Sequence, residues 1–247
     1  MSEYINPIRV PNPSCKLPED LDTPVWRYMD MYKFQSLLVQ RKLYLCRVDL
    51  LQERFEGTYS RQQITGMNDW HTKIGVPSMN ESERERRLKD RRTTYISSWC
   101  MSDCDLDLMW KGYVRNPPGI AIKSSVRRLI KICDAAVEHW PLDISEVTYF
   151  DHANGAHINY FGTPTTFLYK DNHFNLDKEL RIIHYPNVLE PTPSHILLNV
   201  DLNDLIEEVV LQPRVNEGLN SVREELNKAG FEGIPVSASR DDRELLA

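Results

Sequence analysis

Strand-like and helix-like stretches follow one another along this chain without a regular β-α-β alternation. The first ones are a strand at residues 25–28, an amphipathic helix at 29–42 and a second strand at 43–48. Beyond residue 93, short β-branched or aromatic runs predominate, and single helices separate them. Because doubly wound parallel sheets need alternating strands and helices, this order predicts an α+β fold, with a mixed or antiparallel sheet flanked by helices.

Changes in composition mark the predicted boundaries of a single domain. Residues 1–24 contain five prolines, which predict an extended N-terminal arm. The α+β domain is expected to cover residues 25–240, and residues 241–247 are expected to form a tail. Residues 57–92 are polar and end in a run of interleaved acidic and basic residues. This stretch predicts a polar helical insertion that ends in a solvated helix.

Charge and hydropathy exclude several classes of protein. The net charge of −6 argues against charge-driven binding of nucleic acid. No apolar stretch approaches the roughly 20 residues that a membrane span needs, and the first residues lack a secretory signal, so a cytoplasmic protein is expected. The five cysteines follow no disulfide framework, and Cys100 and Cys104 have no second Cys or His pair at zinc-like spacing. We therefore expect reduced thiols and no metal site.

Glu179 and Arg181 form the most informative charged pair of the sequence. They alternate with Leu180 and Ile182 in a run that predicts a short strand. Because side chains alternate along a strand, the two charges share one face. An unpaired buried charge is costly, so the two residues form either an ion pair at the surface or edge of the sheet, or part of a functional site. The sequence leaves both interpretations open.

A series of short motifs gives the chain a family resemblance. In order, the motifs are Arg27-Tyr28 before a helix, a Leu-Tyr-Leu strand leading to Phe55-Glu56, a Ser98-Trp99-Cys100 strand, Met109-Trp110 before Tyr113, a Gly-Ile-Ala-Ile strand and Glu179-x-Arg181. Over residues 26–213 this series resembles the bacterial family known as domain of unknown function 2971. The family has no established activity. The chain departs from it at residues 52–54, which are Gln-Glu-Arg where relatives tend to have Asn-Asp-Pro.

The order of Arg27, then Ser97 or Ser98, then Glu179 is similar to the Arg…Ser…Glu order of one class of ADP-ribosyltransferase. The resemblance implies that Arg27 holds a phosphate of NAD, that the serine braces the site and that Glu179 stabilises the cationic sugar. The chemistry is consistent, because a carboxylate stabilises an oxocarbenium-like centre and a planar guanidinium binds two phosphate oxygens together.

Further residues complete the expected NAD site. The aromatic residues Trp26, Tyr28, Trp99 and Trp110 are candidates for stacking on the nicotinamide or adenine ring. Arg181 is a further candidate for binding the dinucleotide. NAD is thus the expected substrate, a nucleotide-like small molecule the expected ligand, and bacterial defence or stress the expected setting.

Two alternatives remain open. The first is a metal-dependent phosphodiester hydrolase, whose candidate residues are Asp49, Glu53, Glu56 and Glu179 with Lys170 or Lys178. The second is a non-catalytic interaction module, in which exposed aromatic residues bind a protein that the sequence does not identify. The chain contains no Walker loop, no dinucleotide-binding G-x-G-x-x-G and no G-x-S-x-G elbow, which disfavours ATPase, dehydrogenase and α/β-hydrolase functions.

Overall fold

The chain forms a mixed, mostly antiparallel sheet flanked by helices, which confirms the predicted α+β fold. The structure is a computed structural model that describes residues 12–51, 53, 57, 60–75, 80–136, 141–151, 165–186, 192–214 and 218–239. Much of the predicted arm (residues 1–11) and the predicted tail lie outside these residues. The strands are β1 (Pro24–Asp30), β2 (Lys42–Arg47), β3 (Tyr95–Met101), β4 (Gly119–Ser125), β5 (Leu142–Glu146), β6 (Thr148–Phe150), β7 (Tyr169–Asp171), β8 (Glu179–His184), β9 (His195–Asn199), β10 (Glu208–Leu211) and β11 (Val236–Ala238).

The helices follow the sequence pattern closely. They are α1 (Met31–Gln40), α2 (Arg61–Lys73), α3 (Asn80–Thr93), α4 (Asp107–Tyr113), α5 (Val126–Ala135), α6 (Leu202–Leu205) and α7 (Leu219–Lys228). The polar segment at 57–92 contains α2 and all of α3 except its last residue, and α3 is the helix predicted from the charge run. α5 begins after Ser125, whose hydroxyl accepts the backbone N–H of Arg128 as an N-cap. Among the helices of the described residues, none is both long and apolar enough to span a membrane.

The main sheet has the strand order β11-β10-β4-β1-β3-β2-β9, and β8 pairs with both β3 and β5. β10 and β11 are parallel, while the other ladders of this sheet in the described part of the chain are antiparallel. β6 and β7 form a separate parallel pair. β8 is therefore an interior strand, with neighbours on both edges.

β1 and β2 share one edge of β3 and leave a gap between them. Trp26 of β1 lies opposite Cys100, whereas Cys46 of β2 lies opposite Ile96. Residues 97–99 of β3 lie between these two pairings, and we call this place the strand gap. On its other edge, β3 pairs continuously with β8 over residues 95–100. The strand gap brings side chains of three strands together.

One face of the sheet, which we call the helical face, holds the main core. Val25, Trp99 and Leu180 point to this side, because directly opposed residues of antiparallel strands share a face. Helices α1, α5 and α7 cover the helical face with apolar residues spaced three and four apart. They contribute Phe34, Leu37, Leu38, Leu129, Ile132, Val222 and Leu226 to the core.

The opposite face, which we call the Glu179 face, carries Cys100 and Glu179. Helix α4 covers one part of it, where Trp110 packs edge-on against Tyr28 with ring centroids 4.9 Å apart. The 3₁₀ turn Thr165–Leu168 covers another part, where Phe167 packs with apolar residues of β3 and β8. This face is thus covered by short elements, and the charged residues of β8 lie under them.

Candidate functional site

β8 holds two charged side chains in the interior of the molecule. All six residues of the strand are buried, because it lies between β3 and β5. Glu179 is 3% exposed and Arg181 is 1% exposed. Arg181 Nε donates to Glu179 Oε2 at 2.7 Å, and Arg181 Nη1 donates to the carbonyl of Phe167 at 2.7 Å. The ion pair is buried, so the interpretation as a surface or edge pair is excluded.

Lys170 connects Glu179 to two further carboxylates. Its ammonium lies 2.5 Å from Glu179 Oε1, 2.7 Å from Asp177 Oδ2 and 2.8 Å from Glu53 Oε1. The side chain of Lys170 is only 3% exposed. We call Glu53, Lys170, Asp177, Glu179 and Arg181 the Glu179 cluster. Each oxygen of the Glu179 carboxylate thus receives one hydrogen bond from a different cation.

A tight turn before β8 brings Lys170 and Asp177 to Glu179. The carboxylate of Asp171, the last residue of β7, accepts the backbone N–H of His173 at 2.9 Å and caps the 3₁₀ turn Asn172–Asp177. The turn ends at Lys178, whose φ of 41° is left-handed. The chain then enters β8 at Glu179. The local sequence therefore folds back so that residues seven and nine positions after Lys170 both reach its ammonium.

The charges of the cluster keep Glu179 ionised. Burial by itself raises the pKa of Glu179, but the charges of Arg181 and Lys170, and the hydrogen bonds from both, lower it to about 2. Burial also disfavours the ammonium of Lys170, yet the surrounding carboxylates outweigh burial and raise its pKa. With three carboxylates and two cations, the cluster carries a net charge of −1.

Aromatic side chains surround the cluster. The Phe174 ring lies 4.4 Å from the Lys170 ammonium, and the Tyr149 hydroxyl accepts the backbone N–H of Glu179 at 2.8 Å. Tyr113 of α4 is 43% exposed, and its phenol lies within electrostatic range of Glu179. Desolvation and the carboxylates raise the pKa of Tyr113, so its hydroxyl stays protonated. Tyr113 therefore holds a neutral hydroxyl near the cluster on a partly exposed side chain.

The structure does not bring Arg27 to Glu179. The register places Arg27 on the helical face, because its neighbour Trp26 shares the Glu179 face with Cys100. Arg27 donates to the hydroxyl of Ser97 and to the backbone carbonyl of Tyr44 at 2.9 Å. The guanidinium thus bridges the strand gap from β1 to β2 and β3. The expectation that Arg27 and Glu179 line one cleft is therefore corrected, because the two side chains leave the sheet on opposite faces.

The two candidate serines also lie on opposite faces. Ser97 is buried beside Trp99 on the helical face, and its hydroxyl accepts from Trp99 Nε1 at 3.2 Å. Ser98 lies directly opposite Arg181 and shares the Glu179 face with it. Ser98 is half-buried, whereas its neighbours in β3 are buried. Of the two serines, Ser98 is the one that the structure brings to Glu179 and Arg181.

The candidate stacking residues are part of the core. Tyr28, Trp99 and Trp110 are each less than a tenth exposed. The Tyr28 hydroxyl accepts the backbone N–H of Leu106 at 2.9 Å, and Trp110 Nε1 donates to Asp105 Oδ2 at 3.1 Å. Their rings pack against other core residues and their polar atoms are bonded. The three rings are buried in this conformation, so their stacking on a ligand stays a prediction.

Only some of the carboxylates proposed as metal ligands lie close together in the described residues. Oxygens of Glu53, Asp177 and Glu179 lie within 4.8 Å of one another, which suits a shared cation. The Lys170 ammonium already bonds all three. Asp49 pairs with Arg47 instead, at 2.7 Å. Glu56, the remaining candidate, lies outside the described residues.

Asp177 and Tyr149 belong to the site although no sequence motif indicated them, and Tyr113 is part of a motif that gave it no role near Glu179. Asp177 stands two residues before Glu179, and a lysine seven residues earlier is the local signal that could have identified it. Tyr113 and Tyr149 come from α4 and β6, which are distant in sequence from β8. Their approach depends on the tertiary fold, so no local sequence pattern predicts that they reach Glu179.

Two solved structures are similar to this chain. Both are of DarT from Thermus sp. 2.9, one in complex with carba-NAD+ and one in complex with ADP-ribosylated single-stranded DNA. The first has a TM-score of 0.41 and 12% sequence identity, and the alignment covers 92% of this chain and 98% of that chain. The second has a TM-score of 0.42 and 14% identity at the same coverage. No protein-family model and no curated protein matches the chain, so the resemblance to the domain of unknown function 2971 family is not confirmed.

Proposed function

We propose that this protein acts on the glycosidic bond of NAD, by ADP-ribosyl transfer or NAD hydrolysis, with Glu179 as the catalytic carboxylate. The observation that carries the proposal is the carboxylate of Glu179, which is buried yet held ionised by Arg181 and Lys170. Most carboxylates of a soluble protein lie in water, and strongly perturbed ones are enriched at functional sites. A permanently ionised carboxylate in a partly desolvated site suits stabilisation of a positive centre.

The reaction develops positive charge on the ribose. The bond between C1′ and the nicotinamide nitrogen breaks, and nicotinamide leaves as a neutral ring with the bonding electron pair. Glu179 stabilises the cationic sugar electrostatically. The oxygen of water or of an acceptor hydroxyl then bonds to C1′, and its proton passes to solvent.

The acidity of Glu179 assigns it an electrostatic role. A group with a pKa of about 2 is a weak base at neutral pH, and base catalysis is most effective when the pKa lies near the working pH. The same low pKa keeps the carboxylate charged over the whole physiological range. Glu179 therefore stabilises charge rather than removing the proton of the acceptor.

The partial exposure of Ser98 and Tyr113 is consistent with a substrate reaching the cluster from solvent. Ser98 is half-buried on the Glu179 face, and Tyr113 is 43% exposed. Their hydroxyls can bind hydroxyl or amide groups of a substrate on the side where the cluster approaches solvent. We propose Ser98, rather than Ser97, as the serine of the site.

Release of nicotinamide from NAD tests this function. The purified protein is incubated with NAD alone and with protein or single-stranded DNA acceptors, and nicotinamide is quantified by chromatography. E179Q keeps the shape but removes the charge, so its kcat should fall by about a hundredfold or more. E208Q is the matched control, because Glu208 is half-buried on β10 and bonds Ser237 instead. Wild type that releases no nicotinamide with any acceptor would overturn the proposal.

One observation favours a second candidate, a metal-dependent phosphodiester hydrolase. The oxygens of Glu53, Asp177 and Glu179 lie within 4.8 Å of one another, close enough to share a magnesium ion. The raised pKa of Lys170 opposes this, because the ammonium that lies among them keeps its proton and its positive charge. Labelled DNA or RNA in magnesium, with and without EDTA, distinguishes the two functions. A role in bacterial defence or stress, and a non-catalytic interaction module, stay predictions.

A further inference from the structure

We propose that Lys170 is a positioning residue that fixes the Glu179 carboxylate in its reactive orientation, an inference that rests on the proposed function. Lys170 comes from β7, outside the main sheet, yet its ammonium reaches Oε1 of Glu179. Arg181 holds Oε2 from within β8 itself. Two cations from two elements therefore hold the two oxygens, so the plane of the carboxylate cannot turn.

Lys170 is itself held in place from several sides. Its other two acceptors, Asp177 and Glu53, lie on the 3₁₀ turn and on the chain after β2. The Phe174 ring lies 4.4 Å from the ammonium. Three carboxylates and one ring thus orient a side chain that is only 3% exposed. An ammonium held in this way acts as a fixed part of the site rather than as a mobile surface charge.

Without Lys170, the cluster would contain three carboxylates and one cation. Carboxylates that approach within a few ångströms repel each other, and one of them takes up a proton. Glu179 is the most buried of the three, so it is the one whose charged form depends most on Lys170. Loss of the ammonium is therefore expected to protonate Glu179 at higher pH and to free its Oε1.

Other ionisable groups around Glu179 do not replace Lys170. Besides Lys170, the groups that face or approach it from the packed elements are Arg181 of β8, Glu53 of the segment after β2, Asp177 of the 3₁₀ turn, Cys100 of β3, Tyr113 of α4 and Tyr149 of β6. Burial and the nearby acids raise the pKa of the Cys100 thiol to about 12, and the two phenols also have raised pKa values. These three groups are neutral at physiological pH. Lys170 and Arg181 are therefore the cations that bond Glu179 within the described residues.

The test measures the effect of Lys170 on Glu179 by NMR, separately from the effect on NAD turnover. Wild type, K170M and K170R are labelled with ¹³C at the glutamate side-chain carboxyl, and the Glu179 signal, assigned by its loss in E179Q, is titrated by NMR. We expect the pKa of Glu179 to rise by about 1 unit or more in K170M and to return towards the wild-type value in K170R. For NAD turnover, kcat of K170M should fall by about a hundredfold. The acidic limb of its pH–kcat profile should move to higher pH.

The outcomes are distinct. An unchanged Glu179 titration in K170M overturns the positioning role, whatever the activity. A shifted titration in a protein whose wild type releases no nicotinamide shows that Lys170 sets the charge of Glu179, but it contradicts the proposed function and with it the reactive role of that orientation. Circular dichroism checks the fold of each variant. If K170M does not fold, K170Q replaces it, because a neutral amide still donates hydrogen bonds to the carboxylates, and the same shift of the titration is then expected.

Discussion

Arg27 joins three strands at one place. Its guanidinium extends from β1 into the strand gap, donates to Ser97 of β3 and to the carbonyl of Tyr44 in β2, and lies 5.7 Å from the Trp99 ring. Burial lowers the pKa of Arg27 to about 10, so the group stays charged at neutral pH. The planar fork of a guanidinium can bond two acceptors in different directions. In this structure Arg27 therefore closes the sheet where β1 and β2 separate.

The substitution R27K tests this structural role. An ammonium is a compact charge that cannot reproduce the fork, so the hydrogen bond to either Ser97 or the Tyr44 carbonyl is lost. We expect the free energy of unfolding in urea to fall by about 1–3 kcal/mol. R127K is the control, because Arg127 forms an exposed pair with Asp22 and its replacement should change stability by less than about 0.5 kcal/mol.

The same variant distinguishes the structural role of Arg27 from the NAD-binding role that the sequence predicted. If Arg27 holds a phosphate of NAD, R27K should leave the free energy of unfolding unchanged and raise the KM for NAD. That result would contradict the bridging role and show that Arg27 reaches a ligand in another conformation. A loss of stability with an unchanged KM is the outcome that we expect.

At the level of elements, the sequence predicts the strands better than their registers. The run around Glu179 predicts β8 and the shared face of Glu179 and Arg181, and both predictions are confirmed. The sequence does not determine which residues of β1 and β3 share that face, because a shift of one residue moves every side chain to the opposite side. The choice between Ser97 and Ser98 depends on pairing with a strand about eighty residues away. Long-range packing sets that register, so the sequence left both serines open.

Lys170 shows a related limit of prediction. The sequence indicates a lysine near Glu179 along the chain but not its three carboxylate partners. Asp177 is local, whereas Glu53 lies more than one hundred residues before Lys170. The cluster forms only when β2, β7 and β8 are in place. A predicted strand can therefore indicate the candidate carboxylate, Glu179, while the groups that set its charge are known only from the fold.

The ion pairs of β8 predict how stability depends on pH. The pKa of Glu179 falls from its usual 4.5 to about 2 on folding, so the ionised form stabilises the native state. This stabilisation is fully present above pH 4.5 and is lost as the pH falls towards 2. At neutral pH it amounts to about 3 kcal/mol, since one pKa unit corresponds to about 1.4 kcal/mol. Urea unfolding of wild type and E179Q should show this difference at pH 7 and a much smaller one near pH 2.

The comparison of wild type with E179Q isolates the contribution of Glu179 to the pH dependence, since the other carboxylates titrate in both proteins. A gap between wild type and E179Q that stays constant from pH 7 to pH 2 would contradict the lowered pKa. It would then follow that Glu179 is ionised to the same extent in the folded and unfolded chain.

For the whole molecule, the sheet separates two chemically different sides. The helical face carries the main apolar core under α1, α5 and α7, and the Glu179 face carries the charged cluster under short elements. The side chains of both faces are attached to the same strand backbone. If its geometry is rigid, damage to the core should lower the global stability without changing the charge or orientation of Glu179.

A double-mutant cycle measures this separation. Leu129 of α5 is fully buried in the helical-face core, and L129A should lower the free energy of unfolding by about 2–5 kcal/mol. Its effect should add to that of E179Q within about 0.5 kcal/mol, because the two side chains lie on opposite faces of the sheet and share no partner. At a temperature where L129A is fully folded, nicotinamide release and the NMR titration of Glu179 should match wild type. A large coupling energy, or a shifted titration in L129A, would show instead that the core transmits strain through the sheet and that helix packing controls the site.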